Sequence, residues 1–244
     1  MRALTDSELL LVWEQGIAQQ PVQRALTLLA AACPETSLDA LAELSIGQRD
    51  ARLLTLREWA FGPELVSLAA CPGCDERLEL IFKVADIREE PEIEISEERS
   101  LSIDGYEIRF RLLNSLDLEA IAHLKDVDTC RQLLLKRCLL HATHNSRRKS
   151  VMHLPKKVFK AVTEQMMQAD PQANVQLNLC CPDCSHQWQM TFDILSYIWT
   201  EINAWAQRIL REVHVLASAY GWHEADVLAM SPMRRQCYLQ MAGG

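Results

Sequence analysis

Two stretches decide the fold: CPGCDERLELIF at residues 71–82 and CPDCSHQWQMTF at residues 181–192. Each opens with a Cys-Pro-x-Cys turn. Each continues with apolar residues four, six and eight positions past its second cysteine: Leu78, Leu80 and Phe82 in the first, Trp188, Met190 and Phe192 in the second. Alternation of this kind marks a strand with one buried face. The pattern is a weak internal repeat, a thiol-bearing knuckle that feeds a strand. Two cysteines three positions apart on a tight turn bring both sulfurs to one ion, and the turn's N–H groups stabilise their negative charge. Two such turns supply four thiolates at tetrahedral positions, which suits Zn²⁺. Sulfur-only ligation disfavours Mg²⁺ and Ca²⁺, and an iron centre of rubredoxin type ranks below zinc. The expected ligands are Cys71, Cys74, Cys181 and Cys184, holding one structural zinc per chain.

Cys180 reads as a core residue or a spare thiol, and His186 as a solvated side chain, because four thiolates already fill the site. The rival reading of each Cys-x-x-Cys is a buried thiol pair or a thioredoxin-like redox motif. A redox motif sits alone at a helix start after a strand, whereas here two motifs each precede a strand. Four cysteines also leave no open position for a catalytic metal. No H-x-E deaminase pattern, H-E-x-x-H, P-loop, G-x-G-x-x-G or G-x-S-x-G motif occurs, so the chain is not expected to be an enzyme or to act on a small molecule.

Residues 75–180 separate the two knuckles, so a shared metal closes a domain-sized insertion. The expected division is an N-terminal helical region at 1–70, a split zinc-knuckle β module at 71–84 and 175–193, an inserted α+β region at 85–174, and a C-terminal helical region at 194–244. The fold class is α+β, mainly α.

Around the knuckles, helical spacing and caps predict helices from Asp6 to Gly16, over Pro21–Cys33, Leu38–Leu44 and Gln48–Ala60. In the insertion, Leu101–Ile103 and Tyr106–Phe110 flank Asp104-Gly105, a hairpin turn of type I′. Asn114-Ser115 caps a helical stretch, Asp126–His141 reads as a second helix, and Pro155 as the first position of a helix to Ala169. After Asp193 comes the longest helical pattern, Ile194–Tyr220, stopped by Gly221. Short helices follow over Glu224–Met230 and from Ser231-Pro232 onward.

The chain has 244 residues, 49% of them hydrophobic and 24% charged, enough for a real core without staples. The net charge of −8 disfavours a general polyanion-binding surface. Charge is uneven, however. Asp86–Glu98 holds seven acids against one arginine and reads as a solvated linker or edge. Residues 144–160 hold six basic residues and no acid: Arg147, Arg148, Lys149, Lys156, Lys157 and Lys160. These six form a partner or nucleic-acid surface if they are more than a solvated face. The opening stretch carries Asp6, Glu8 and Glu14 and no small-residue cleavage site, and no apolar run is long enough for a membrane span. A cytoplasmic, non-membrane protein is expected, with its thiols reduced. Cys33, Cys130, Cys138 and Cys237 read as small buried hydrophobes. Late aromatics such as Trp199 and Trp205 follow helical spacing and read as core, with a docking surface among them.

Five segments together resemble the T-even-type phage baseplate protein family: IGQRDARLLTLREWAFGP (46–63), CPGCDERLEL (71–80), GYEIRFRLLNSLDL (105–118), CPDCSHQWQMTFDI (181–194) and REVHVLASAYGWHEADVLAMSPMRRQCYL (211–239). Members accompany contractile phage tails and contractile injection systems. The resemblance spans roughly residues 8–240. It implies a structural component or assembly factor of a contractile baseplate, partnered by other baseplate or tail-hub proteins and incorporated in a tail-like particle or acting while one is built. The alternative is a zinc-ribbon protein that binds nucleic acid through the basic segment 147–160.

Overall fold

Thr5 accepts the Glu8 N–H while the Glu8 carboxylate reaches back to the Thr5 N–H, and this capping box starts α1 (Asp6–Gly16). Pro21 starts α2 (Pro21–Ala32), and α3 (Leu38–Glu43) follows. Ser45 caps α4 (Ile46–Phe61). Two strands, β1 (Glu64–Ala70) and β2 (Arg77–Lys83), then lead to a one-turn helix α5 (Val84–Ile87). The chain continues with β3 (Arg99–Ile103), β4 (Tyr106–Phe110), α6 (Ser115–Ile121), α7 (Val127–Cys138), β5 (Leu139–His144), β6 (Arg147–Arg148) and α8 (Lys156–Ala169). A 3₁₀ turn at Pro171–Asn174 precedes β7 (Gln176–Cys180) and β8 (Gln187–Thr191). The chain ends in α9 (Ile194–Tyr220), α10 (Glu224–Leu228) and α11 (Pro232–Ala242). This is a computed structural model, and it describes residues 1–89, 98–145, 147–149 and 154–243. Helix makes up 56% and strand 19%, an α+β fold that is mainly α.

The chain divides into two compact units. The first combines Met1–Ser37 with Ile194–Gly244 and is all helical. Its centre is α9, whose 27 residues extend about 40 Å. Ile198, Ile202, Trp205, Ala206, Ile209, Val213 and Leu216 form one buried stripe at helical spacing, against which α1, α2, α10 and α11 pack. Arg235 of α11 is buried and bonds Asp6 of α1 at 2.7 Å, Glu212 of α9 at 3.1 Å and the Met230 carbonyl at 2.7 Å. At the far end of α9 the rings of Tyr220, Trp222 and Tyr238 cluster outside the core, Tyr220 and Trp222 stacked at 4.5 Å. No helix among the described residues is long and apolar enough to cross a membrane.

The second unit, Leu38–Asp193, holds three antiparallel sheets among its described residues: β1-β2, β3-β4-β5-β6 and β7-β8. In the middle one, Asp104 (φ 50°) and Gly105 (φ 76°) both take positive φ, as a type I′ turn requires. Ile108, Phe110, Leu139 and Ala142 of this sheet pack on Val158, Val162 and Met166 of α8. In the first turn of α6, Asp117 is fully buried and bonded by Arg111 and Arg137.

Several elements differ from the sequence reading. The helix expected over Asp126–His141 ends at Cys138, whose carbonyl accepts the Arg111 N–H at 2.9 Å. Leu139–His144 pairs with β4 instead, because the sheet gives its backbone partners and buries Leu139 and Ala142. Pro155 is the cap of α8 rather than its first residue. Strand β1 has apolar residues on both faces, Leu65 and Ala69 buried, Val66 and Leu68 exposed, so no alternation announces it. Cys33 and Cys138 are buried as expected, but Cys130 is half-buried and Cys237 exposed, since each lies off its helix's inner face. Residues 90–97 of the acidic stretch and 146 and 150–153 of the basic one lie outside the described residues.

Candidate metal centre

The two Cys-Pro-x-Cys turns are the tips of two hairpins. Strands β1 and β2 pair from Glu64↔Lys83 to Ala70↔Arg77, with residues 71–76 as the tip. Strands β7 and β8 pair from Gln176↔Thr191 to Cys180↔Gln187, with residues 181–186 as the tip. The tips are built alike. Cys71 N–H donates to the Glu76 carbonyl and Cys181 N–H to the His186 carbonyl, both at 2.9 Å. The Cys71 carbonyl accepts the Asp75 N–H at 2.8 Å, and the Cys181 carbonyl the Ser185 N–H at 3.0 Å. Asp75 (φ 60°) and Ser185 (φ 59°) turn the chain in the left-handed region, which lets a tip of this length close. Both are polar residues placed directly after the second cysteine, a correspondence present in the sequence repeat but not read from it.

The four sulfurs converge. Cys71 Sγ lies 3.6 Å from Cys184 Sγ, Cys74 Sγ lies 3.7 Å from Cys181 Sγ, and all four are within 4.8 Å of one another. A disulfide requires about 2.05 Å, so these are separate thiols. Four sulfurs bonded tetrahedrally at about 2.3 Å to one ion lie about 3.8 Å apart, so the donor set fits zinc in number, chemistry and spacing. The first cysteine of each tip is buried and the second exposed.

Electrostatics favours a cation among the four sulfurs. Burial pushes the Cys71 thiol up, but the N–H groups of Gly73 and Cys74 and the thiols of Cys184 and Cys181 outweigh it and draw it down to about 7. The Glu76 N–H favours a Cys74 thiolate, yet the crowded sulfurs and burial push that thiol up to about 12. Cys184 is likewise raised: its His186 N–H bond is outweighed by burial and by Cys71 and Cys181. Thiols this close ionise together only around a cation, whose charge offsets their mutual repulsion.

Two contacts lock the hairpins onto each other, one at the tips and one at the bases. The His186 side chain lies over Gly73, where a Cβ would stand 3.2 Å from its Cβ and Cγ, a close approach that a larger residue would crowd. Phe82 and Phe192 meet edge to face, centroids 5.5 Å apart. Among the described residues the convergent ligand atoms come from the four cysteines, with His186 exposed. Cys180 is exposed, its thiol 3.9 Å from the Cys181 carbonyl, which makes it the spare thiol of the two readings.

The six basic residues are all exposed. Arg147 and Arg148 pair with His144 and Thr143 across β5 and β6, and the Lys149 N–H reaches the Ala142 carbonyl. Lys156, Lys157 and Lys160 sit on the first turns of α8. Lys157 pairs with Asp104 at 2.8 Å and Lys160 with Glu164 at 3.6 Å, so part of the positive charge is already matched.

A family model described as "T4 bacteriophage base plate protein" matches residues 3–198, a span that includes both Cys-Pro-x-Cys turns. No curated protein and no solved structure matches the chain.

Proposed function

Since the chain belongs to the T4 bacteriophage base plate protein family, we propose that it is a structural component or assembly factor of a contractile-tail or injection-system baseplate, acting by protein–protein interaction around a structural zinc site. The family match over residues 3–198 carries this reading. Other baseplate or tail-hub proteins are its partners. Cys71, Cys74, Cys181 and Cys184 hold the zinc, one ion per chain, which supplies a closed tetrahedral tie with no position for substrate. The tie fixes the tip of the first hairpin to that of the second and closes the insertion between them. Metal binding is therefore part of folding stability, since the site does not exist in an unfolded chain.

Mass spectrometry of purified sheath-bearing particles beside the soluble lysate tests the role. A fixed ratio to baseplate proteins in the particles makes the chain a structural component. Presence in the lysate alone, with deletion stopping particle formation, makes it an assembly factor. Unchanged particles after deletion overturn the reading. Steeply salt-dependent DNA binding lost on neutralising Arg147, Arg148, Lys149, Lys156, Lys157 and Lys160 would put the nucleic-acid alternative in its place.

A further inference from the structure

An open groove of about 890 Å³ runs between the two knuckle hairpins, walled by consecutive residues of β2 (79–82) and of β7 (176–179). Consecutive residues line it because both strands present an edge there: β2 pairs only with β1 and β7 only with β8 among the described residues. The phase of the ladders follows from bonds at their ends. Val84 N–H donates to the Pro63 carbonyl and Cys71 N–H to the Glu76 carbonyl, so the even-numbered residues of β2 face β1. Glu79 and Ile81 therefore direct their N–H and C=O groups away from β1, at the groove edge. By the same logic the Phe192 N–H to Val175 bond leaves Gln176 and Asn178 directed away from β8.

The two hairpins are alike in backbone and unlike on their outer faces. On β7 and β8 that face is polar: Gln176, Asn178, Gln187, Gln189 and Thr191. On β1 and β2 it carries Val66, Leu68 and Ile81, which are 45%, 73% and 62% exposed, in line with Glu64, Arg77, Glu79 and Lys83. An exposed edge strand with an apolar residue such as Ile81 is a template for another strand. The groove's charge selects what comes. Among the described residues, Glu79, Asp86 and Glu89 line it, and no lysine or arginine does.

We propose that the edge of β2 receives an extended, basic segment of a partner protein by strand addition. Main-chain bonds to Glu79 and Ile81 hold it. Alternate side chains then meet opposite environments. Apolar ones face the half-buried Leu80 and Phe82, and lysines or arginines lay their stems over Ile81 with their charge at Glu79. The proposal deepens the reading of the chain as a baseplate part that works by binding other proteins, and names the surface and the kind of partner.

The test uses the full chain and three synthetic peptides of seven residues, the length of β2: alternating Val and Lys, alternating Val and Glu, and the Val–Lys peptide N-methylated at alternate residues. Fluorescence anisotropy should rank the first at least about tenfold tighter than either of the others. Hydrogen exchange should show the Glu79 and Ile81 amides protected on binding. Ile81→Pro removes an edge donor without touching the β1 ladder and should abolish binding. Glu79→Lys, on the exposed face, should do the same without any demand on folding. Equal binding of the methylated peptide, or binding that survives both substitutions, overturns the proposal. Particle composition is read separately: the chain present in tails with no peptide preference sinks only the groove, whereas peptide binding by a chain absent from tail assembly sinks only the baseplate role.

Discussion

Phe82 and Phe192, each eight residues past the second cysteine of its knuckle, meet edge to face at an interplanar angle of 86°. The internal repeat of the sequence thus ends in a contact between its two copies. The sulfur cluster at the hairpin tips and the ring pair at the hairpin bases fasten the same two segments, so each should strengthen the other. Phe82→Leu keeps an apolar side chain and deletes the ring edge, which should cost about 1 kcal/mol in urea denaturation. If the two fastenings share one equilibrium, zinc affinity falls with it, by up to about fivefold. Competition against a chromophoric chelator reads this directly, and an unchanged zinc affinity would show that the ring pair and the sulfur site act independently.

Neighbouring thiols provide a sharp control on the metal site. Cys181 is buried among the sulfurs, whereas Cys180 beside it is exposed. Cys181→Ser should abolish stoichiometric zinc binding and lower the melting temperature by many degrees, while Cys180→Ser should leave both intact. Cobalt substitution should give the thiolate charge-transfer bands of a tetrahedral sulfur site in the wild type and in Cys180→Ser, but not in Cys181→Ser. Because protons compete for the thiolates, the metal should leave as pH falls. Zinc retained by Cys181→Ser at wild-type affinity would break the four-thiolate assignment.

Gly16 ends α1 where the Trp199 indole covers it: a Cβ there would stand 2.1 Å from the ring's Cη2. The ring is held in place by the Arg24 guanidinium, 4.4 Å from its centroid, and Arg24 Nε in turn donates to the Gly16 carbonyl. In an open helix, Gly→Ala gains about 1 kcal/mol. Here the sign reverses, and Gly16→Ala should destabilise by about 2 kcal/mol through overpacking. Pairing it with Trp199→Leu should recover much of the loss in a double-mutant cycle. Additive losses would mean that the indole and the glycine do not share a packing site.

Local signals carried most of the reading from sequence. Ser231 and Asn114 cap helices as their spacing announces, and Asp104-Gly105 turns a hairpin because few other pairs tolerate two positive φ values. The cysteine repeat likewise marked which four sulfurs converge. What escaped is decided by partners distant in sequence. Leu139–His141 closes a helical pattern in the sequence yet opens strand β5, because β4 offers it a ladder. Strand β1 hides because Val66 and Leu68 point outward. The Gly73–His186 crossing and the enclosure of Asp117 by Arg111 and Arg137 join residues whose spacing carries no sign of contact.

Asp117 should make the fold sensitive to acid. Burial disfavours its charge, but the Arg111 and Arg137 guanidinium groups and the Asn114 N–H prevail and hold the carboxyl below the usual carboxylate range. A folded pKa below the unfolded one contributes stability that is present above the unfolded value, about 4, and lost as pH falls through the folded one. Asp117→Asn should therefore cost about 3 kcal/mol at pH 7. The cost sits at the low end for a broken buried pair, since both arginines are partly exposed and can turn to water. Chemical denaturation at pH 7 and below pH 3 checks this: the gap between wild type and variant should close in acid, and a gap that stays constant would mean the charge of Asp117 contributes nothing.

Asp50 should act with the opposite sign. Burial raises its carboxyl to about 6, with the charges of Asp193 and Asp170 adding to the shift and Arg49 opposing it. Its folded pKa lies above the unfolded one, so the folded state binds the proton more tightly. The stabilisation is full below about pH 4 and is lost as pH rises to about 6. Asp50→Asn removes this titration. The buried Arg49 that loses its ionic partner costs the same at every pH in this range, and so drops out of the slope. The stability of Asp50→Asn relative to wild type should then rise by roughly 3 kcal/mol between pH 4 and pH 7, the equivalent of a shift of about two pKa units. Parallel stability curves across that window would place the Asp50 titration at its ordinary value and show that Arg49 matches the burial of its neighbour in full.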